Sequence, residues 1–478
     1  MNGTVRIAKN SLLITISRFT EMISSLVMTG LLSRYLGLED FGNYLFIMAI
    51  ILTITSFAHM GIQQILVREI SQNKPLTANL IQSGLFLTAI ILVIVGVVIF
   101  PITLFLKFTP LLLVALWLAF FSEAMVLLSG PFISAFISFE KMEYDAVITI
   151  INRLLLLLLL LCVIYLDLGF MFIFASLTIA NLLRLLAVIS ISNRKIIRVS
   201  YRSWGRGAKR LFMESLPLGI SFILIQLYLH SNLFILKGLR DAKEVALFQG
   251  PFSIISKLQI LPTILIVAFA PVMARLAIKG APYGSLRNVY VCINKYIFIF
   301  CLPFSLAGVF MAKRITTIIL GADFIQAAVS FQILIGTINL SFLNIFSDKV
   351  LTVIGKQKLL MISSVVSFLA NLLLGFFFVT YYGYVGASIA ALCSSFILFG
   401  LNFYFVSLYM KQPSLSFVVK PFLALSVVAL FLIWSKRLDE IGFMFICFVL
   451  YFGLLFIFRA YSKDELKLFM KTINESGE

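Results

Sequence analysis

Apolar segments of about twenty residues or more recur from one end of this chain to the other, and only short polar loops part them. No water-soluble core can absorb such a pattern. A helix needs about 20 mainly apolar residues to cross the hydrocarbon layer of a membrane. Inside that layer it satisfies its own backbone polar groups, which no water can reach. Of the 478 residues, 61 % are hydrophobic and 12 % charged, against roughly 45–50 % and 25 % in soluble domains. The chain reads as an all-α polytopic membrane protein. About fourteen spans can be drawn, near 11–34, 43–67, 80–105, 110–138, 147–166, 169–192, 211–236, 245–274, 289–311, 326–350, 359–380, 385–408, 417–435 and 441–459.

Between the sixth and seventh spans lies the most polar run, 193–210, NRKIIRVSYRSWGRGAKR. It holds Arg194, Lys195, Arg198, Arg202, Arg206, Lys209 and Arg210 and no acid. Excess Lys and Arg resist translocation, so this loop is expected in the cytoplasm. A surface that attracts anionic lipid headgroups is the sharper reading of the same residues. With the N-terminus inside, most Lys and Arg of the loops fall on the cytoplasmic side, and an even number of spans returns the C-terminus there. Orientation also accounts for the net charge of +18 without a nucleic-acid partner.

The basic loop divides the chain. An N-terminal six-helix bundle is expected over 1–192 and a C-terminal six-helix bundle over 211–408, with two extra helices and a cytoplasmic tail over 409–478. A weak repeat supports the division. Glu39-Asp40-Phe41-Gly42-Asn43-Tyr44 leads into the second span, and Lys243-Glu244-Val245-Ala246-Leu247-Phe248 into the eighth. Each is a charged pair, a hydrophobe and a small residue, with an aromatic two places on. Two such bundles around a central cavity follow the parallel-repeat plan of many transporters.

A charge inside a spanning helix costs about 2.5–3.5 kcal/mol at the bilayer centre, so each one needs a reason. The first span carries Arg18 and Glu21, neighbours on one face, within a polar stripe of Ser11, Thr15, Arg18, Ser25 and Thr29. The second carries Ser56, His59 and Gln63, and the tenth Thr337, Ser341, Asn344 and Asp348. Glu123, Arg153 and Lys257 fall within the fourth, fifth and eighth. Hydroxyls and asparagines in such stripes commonly bond between helices. Arg18, Arg153 and Lys257 point instead to a polar cavity. Arg184 and Lys295, near helix ends, can reach the interface along their own stems. Pro131, Pro217, Pro251, Pro262 and Pro271 mark bends.

Other chemistry is poorly supported. The five cysteines all lie in apolar segments without a C-x-x-C pair, and His59 and His230 are each alone. No metal site and no cofactor is therefore expected. There is no nucleotide-binding loop of the type G-x-x-x-x-G-K-[ST]. The external loops are too short for a catalytic domain, so no enzyme is expected.

The N-terminal stretch is more specific. Lys9-Asn10 precede an apolar helix. Ser33-Arg34-Tyr35-Leu36-Gly37-Leu38-Glu39-Asp40-Phe41-Gly42-Asn43-Tyr44 follow it, then Gly61 and Arg68-Glu69. This resembles the polysaccharide-exporter family, the O-antigen flippases. They share a superfamily with the multidrug/toxin extruders and the lipid II flippases. The Tyr382–Ser388 stretch, YGYVGAS, fits the same pattern. The two extra C-terminal helices look like those of the lipid II flippases. The resemblance implies a bacterial inner-membrane protein that moves an undecaprenyl-pyrophosphate-linked glycan to the outer leaflet. A polysaccharide polymerase and a chain-length regulator would be its protein partners. Arg18, Arg153 and Lys257 would then hold the pyrophosphate, and Glu21, Glu123 or Asp348 would couple a proton or cation. The rivals are a lipid II-type flippase or a drug/cation antiporter of the same superfamily, and, in a different class, a membrane polysaccharide polymerase or glycosyltransferase.

Overall fold

The computed structural model describes residues 3–59, 61–105, 108–197, 207–259, 273, 276, 284–410, 416–435 and 441–458. The regular elements among them are all helices. They are α1 Gly3–His59, α2 Ile62–Gln72, α3 Thr77–Phe105, α4 Pro110–Ser138, α5 Met142–Tyr165, α6 Phe170–Lys195, α7 Ala208–Leu239, α8 Ala242–Leu258, α9 Gly284–Phe310, α10 Ala312–Leu320, α11 Ala327–Leu334, α12 Gly336–Val353, α13 Gln357–Ser407, α14 Ser416–Ser435 and α15 Ile441–Ile457.

Nine helical segments among the described residues are long and apolar enough to cross a membrane. Two are of double length: Thr15–Gln72 has 58 residues and Gln357–Ser407 has 51. At about 1.5 Å per residue neither is a single crossing. Each bends at a glycine, Gly37 (φ 67°) in α1 and Gly383 (φ 55°) in α13. Glycine enters that left-handed region without a steric penalty. The expected first span and most of the second are therefore the arms of one bent helix, the second ending in α2 beyond Gly61 (φ 66°), and the eleventh and twelfth are the arms of α13. The expected tenth span is two helices, α11 and α12, meeting at Ile335. The eighth is described over α8, Gln259 and Met273. Pro262 and Pro271, Arg198, Arg202 and Arg206 of the basic loop, and the tail beyond 458 lie outside the described residues.

The chain separates into two compact units, Met1–Lys237 and Gly238–Glu478. In the first, α4 is the hub and packs on α6, α2 and α1. Its buried face includes Ala115, Ala119, Ser122, Ser129, Ser134, Ala135 and Ser138. Helices in lipid associate by close fit, and small residues let their backbones approach. Ser134 and Ser138 then donate across to the carbonyls of Gln63 (3.3 Å) and Val67 (3.1 Å). Leu154, Leu158 and Leu161 of α5 are exposed, as side chains facing lipid are. The bend of α1 is tied to the turn after α5. Gly169 N donates to Tyr35 Oη (2.9 Å), which donates to Asp167 Oδ1 (2.9 Å). Lys209 and Arg210 of the basic run belong to the first turn of α7. Arg210 bridges Glu214 (2.8 Å) and Glu69 (3.3 Å), and Arg68 bridges Glu69 (2.9 Å) and Glu214.

In the second unit, Asp241 caps α8 by accepting from Glu244 N (3.0 Å). Glu244 Oε2 in turn accepts from Tyr384 N (2.9 Å), an amide that the bend of α13 frees. The repeated motif turns inward in both units: Phe41 is buried in one, and Val245, Ala246 and Phe248 in the other. The C-terminal pair α14 and α15 packs on α9, where the fully buried Tyr451 donates to the carbonyl of Ile299 (3.1 Å).

Candidate functional site

Helices α1 to α6 enclose a cavity of about 360 Å³ within the first unit. Helical periodicity builds its wall. Met142, Asp145, Thr149, Asn152 and Arg153 of α5 recur at three- and four-residue steps, as do Glu123, Val126, Gly130, Ile133 and Ile137 of α4. Asp145 and Arg153 stand roughly 12 Å apart along α5, at 1.5 Å per residue. Pro131, one of the expected bend residues, lines the same wall.

Six charged side chains line the cavity: Arg18, Glu21, Glu123, Asp145, Arg153 and Arg184. Glu21 joins two of the arginines. It accepts from Arg153 Nη2 at 2.5 Å and from Arg18 Nη1 at 3.2 Å. Charges at membrane depth are tolerated where they pair with one another, which is how α1 and α5 carry these three. One carboxylate shared by two guanidiniums leaves this trio with one formal positive charge. The Arg18 side chain is 62 % exposed and that of Arg153 27 %.

The second ion pair is loose. Arg184 Nη2 lies 3.9 Å from Asp145 Oδ1. Arg184 Nε, Asp145 Oδ1, Asn152 Oδ1 and His59 Nδ1 are buried atoms with no hydrogen-bond partner among the described residues. All four residues line the cavity. Asn152 is held from behind, because its Nδ2 donates to Asn181 Oδ1 (3.3 Å) and Asn181 Nδ2 donates to Ser122 Oγ (2.9 Å). His59 packs its ring 5.0 Å from that of Phe222. Glu123 makes no hydrogen bond or ion pair to a described residue, and Arg184 and Arg153 are the charges acting on it.

Of the residues singled out in the sequence, Arg18, Glu21, Glu123 and Arg153 thus come together. Lys257 and Asp348 lie in the second unit, on α8 and α12. There Asn402 Nδ2 donates to Asp348 Oδ1 (2.9 Å) and Asn344 Oδ1 (3.3 Å), and Asn402 Oδ1 accepts from Ser363 Oγ (2.6 Å). Two residues gain a place the sequence did not suggest. Arg184 is not at a helix end: it stands well inside α6 and faces the cavity. Asp145 falls in the first turn of α5, ahead of the expected start at 147.

Some hydroxyls of the polar stripes serve their own helices: Thr29 bonds the carbonyl of Ser25, and Ser56 that of Thr53. Ser341 instead accepts from Gln259 Nε2 (3.2 Å). The side chain of Ser11 lies outside the described residues. No group of three metal-ligating side chains occurs among the described residues. What the cavity offers is a shared guanidinium pair together with donors and acceptors that lack partners.

Comparison with solved structures places the fold. The chain is similar to the lipid II flippase MurJ in an inward closed conformation (TM-score 0.74, 14 % identity, covering 95 % of this chain and 98 % of that one). It is also similar to a multidrug resistance MATE family transporter of the MOP superfamily, inward-facing (TM-score 0.57, 16 % identity, 87 % and 100 %). A third likeness is to a MOP superfamily transporter from Pyrococcus furiosus, described by the reverse polarity of its binding pocket (TM-score 0.55, 15 % identity, 85 % and 96 %). No curated protein sequence matches the chain. A family model described as "Polysaccharide biosynthesis protein" matches residues 7–277, a span that contains every residue lining the cavity. Matched over more than half its length, the chain belongs to the polysaccharide biosynthesis protein family.

Proposed function

We propose that the protein is a flippase. Its cargo is an oligosaccharide linked through pyrophosphate to undecaprenyl, an O-antigen or other surface polysaccharide unit. It carries this cargo by alternating access from the cytoplasmic to the outer leaflet of the bacterial inner membrane, with both termini in the cytoplasm. The observation that carries the reading is the cavity, where Arg18 and Arg153 stand beside the partnerless polar atoms of His59, Asp145, Asn152 and Arg184. A pyrophosphate and a glycan cannot enter hydrocarbon unaided, because each lost hydrogen bond to water costs several kcal/mol. The arginine fork suits phosphate oxygens. Buried donors and acceptors without partners are what sugar hydroxyls can satisfy. Outward movement of an anion is favoured by an inside-negative potential, by about 2.3 kcal/mol per charge per 100 mV.

In the same reading Lys257 is a further cargo contact from the C-terminal bundle, and Glu21, Glu123 or Asp348 couples a proton or cation. The lobes are the bundles 1–192 and 211–408. A polymerase and a chain-length regulator act on the delivered unit. One observation favours a second reading, a drug/cation antiporter: the unpaired carboxylate of Glu123. The two part in cells depleted of the protein. A flippase leaves lipid-linked oligosaccharide on the cytoplasmic face. An antiporter leaves the glycan where it was and raises sensitivity to cationic drugs.

A further inference from the structure

Glu21 holds the two guanidiniums that a diphosphate cargo needs. Its Oε1 accepts from Arg153 at 2.5 Å and its Oε2 from Arg18 at 3.2 Å. The two arginines reach it from different helices, Arg18 from its own α1 and Arg153 from α5. A carboxylate offers one negative charge over two oxygens. A phosphodiester offers the same, so exchanging one for the other gains nothing and adds the cost of leaving Glu21 without a cation at membrane depth. A diphosphate diester brings two charges and more acceptor oxygens. It can engage both forks in paired charge-assisted bonds, which are the strong kind.

We propose that Glu21 is a built-in competitor that keeps Arg18 and Arg153 from single-phosphate lipids and yields them to diphosphate lipids. The inference rests on the flippase reading and adds a selectivity to it. The surrounding bilayer is rich in headgroups with one phosphate, and a cavity of bare arginines would fill with them. Specificity of this kind comes from an element that opposes the wrong ligand, not only from contacts to the right one. The other ionisable side chains lining the cavity are Asp145 on α5, Arg184 on α6, Glu123 on α4 and His59 on α1.

The test uses the full-length protein in lipid nanodiscs and two probes that differ by one phosphate, a polyprenyl diphospho-N-acetylglucosamine and a polyprenyl phospho-N-acetylglucosamine. Dissociation constants are measured for each. The wild type is expected to prefer the diphosphate probe by at least about tenfold, the worth of one bond to a charged group. Glu21→Gln keeps the shape and removes the charge. It should raise affinity for the single-phosphate probe about tenfold or more and narrow the preference, and Glu21→Ala should act in the same direction. If both variants keep the wild-type preference while Arg18→Ala and Arg153→Ala lose the diphosphate probe, Glu21 is no competitor and the flippase reading stands. If the arginine variants bind the diphosphate probe as well as the wild type does, the flippase reading falls with the inference.

Discussion

Arg153 stands midway along α5, just before an unbroken run of leucines, and Glu21 is its partner. Its removal should cost export more than stability, because Arg18 can still neutralise Glu21. Arg153→Ala is expected to lower transfer of lipid-linked glycan at least tenfold, with protein level retained. Arg153→Lys should restore only part of it, since lysine keeps the charge but not the fork. Gly383 makes a different prediction. Its φ is 55°, and a Cβ there would collide with the Glu244 carboxylate that accepts from Tyr384 N. Gly383→Ala should lower the melting temperature in detergent by the equivalent of roughly 1–3 kcal/mol. A melting temperature unchanged from wild type would contradict the description of the bend. Arg18, Glu21, Glu123 and Arg153 were legible in the sequence because charges inside apolar runs stand out. Asp145 was not, because an acid in the first turn of a helix looks like part of the preceding loop. Arg184 was legible as a charge but not as a cavity residue, since sequence spacing does not say how far a helix extends.

At the scale of elements, α4 shows how this family of helices is held together. Ala135 is fully buried on its packed face. Ala135→Leu should destabilise by about 1–3 kcal/mol, because close packing leaves no room for three more carbons. Leu158 lies on the lipid side of α5, 62 % exposed, and Leu158→Ala should change stability by no more than about 0.5 kcal/mol. Thermal unfolding of the two variants in one detergent compares them directly. The positions of most helices could be read from hydropathy, since every apolar run of twenty residues has one structural solution in lipid. The bends could not. Gly37 and Gly383 sit where a loop was expected between two helices, yet hydrogen-bonded helix continues up to each glycine. The tenth span splits at Ile335, just before Gly336 opens α12, but one glycine inside an apolar run does not by itself announce a break.

At the scale of the molecule, the apolar spans show a multi-pass membrane protein, and the family is that of the polysaccharide biosynthesis proteins. The cavity refines what the charge pattern implied. Counting charges along the helices suggested a cationic site, whereas the lining holds three acids beside its three arginines. Sequence alone shows which charges exist but not which of them meet. Orientation has its own test. If the basic loop is cytoplasmic, as its charge predicts, a single cysteine introduced at Asn193, with the native cysteines replaced, should resist a membrane-impermeant thiol reagent in intact cells and react once the membrane is opened. The most direct measurement is the leaflet location of lipid-linked oligosaccharide in cells depleted of the protein and then supplied with wild type or with Arg18→Ala/Arg153→Ala. Depletion should trap the intermediate on the cytoplasmic face, wild type should release it, and the double variant should not. Delivery to the outer face by the double variant at the wild-type rate would contradict the account.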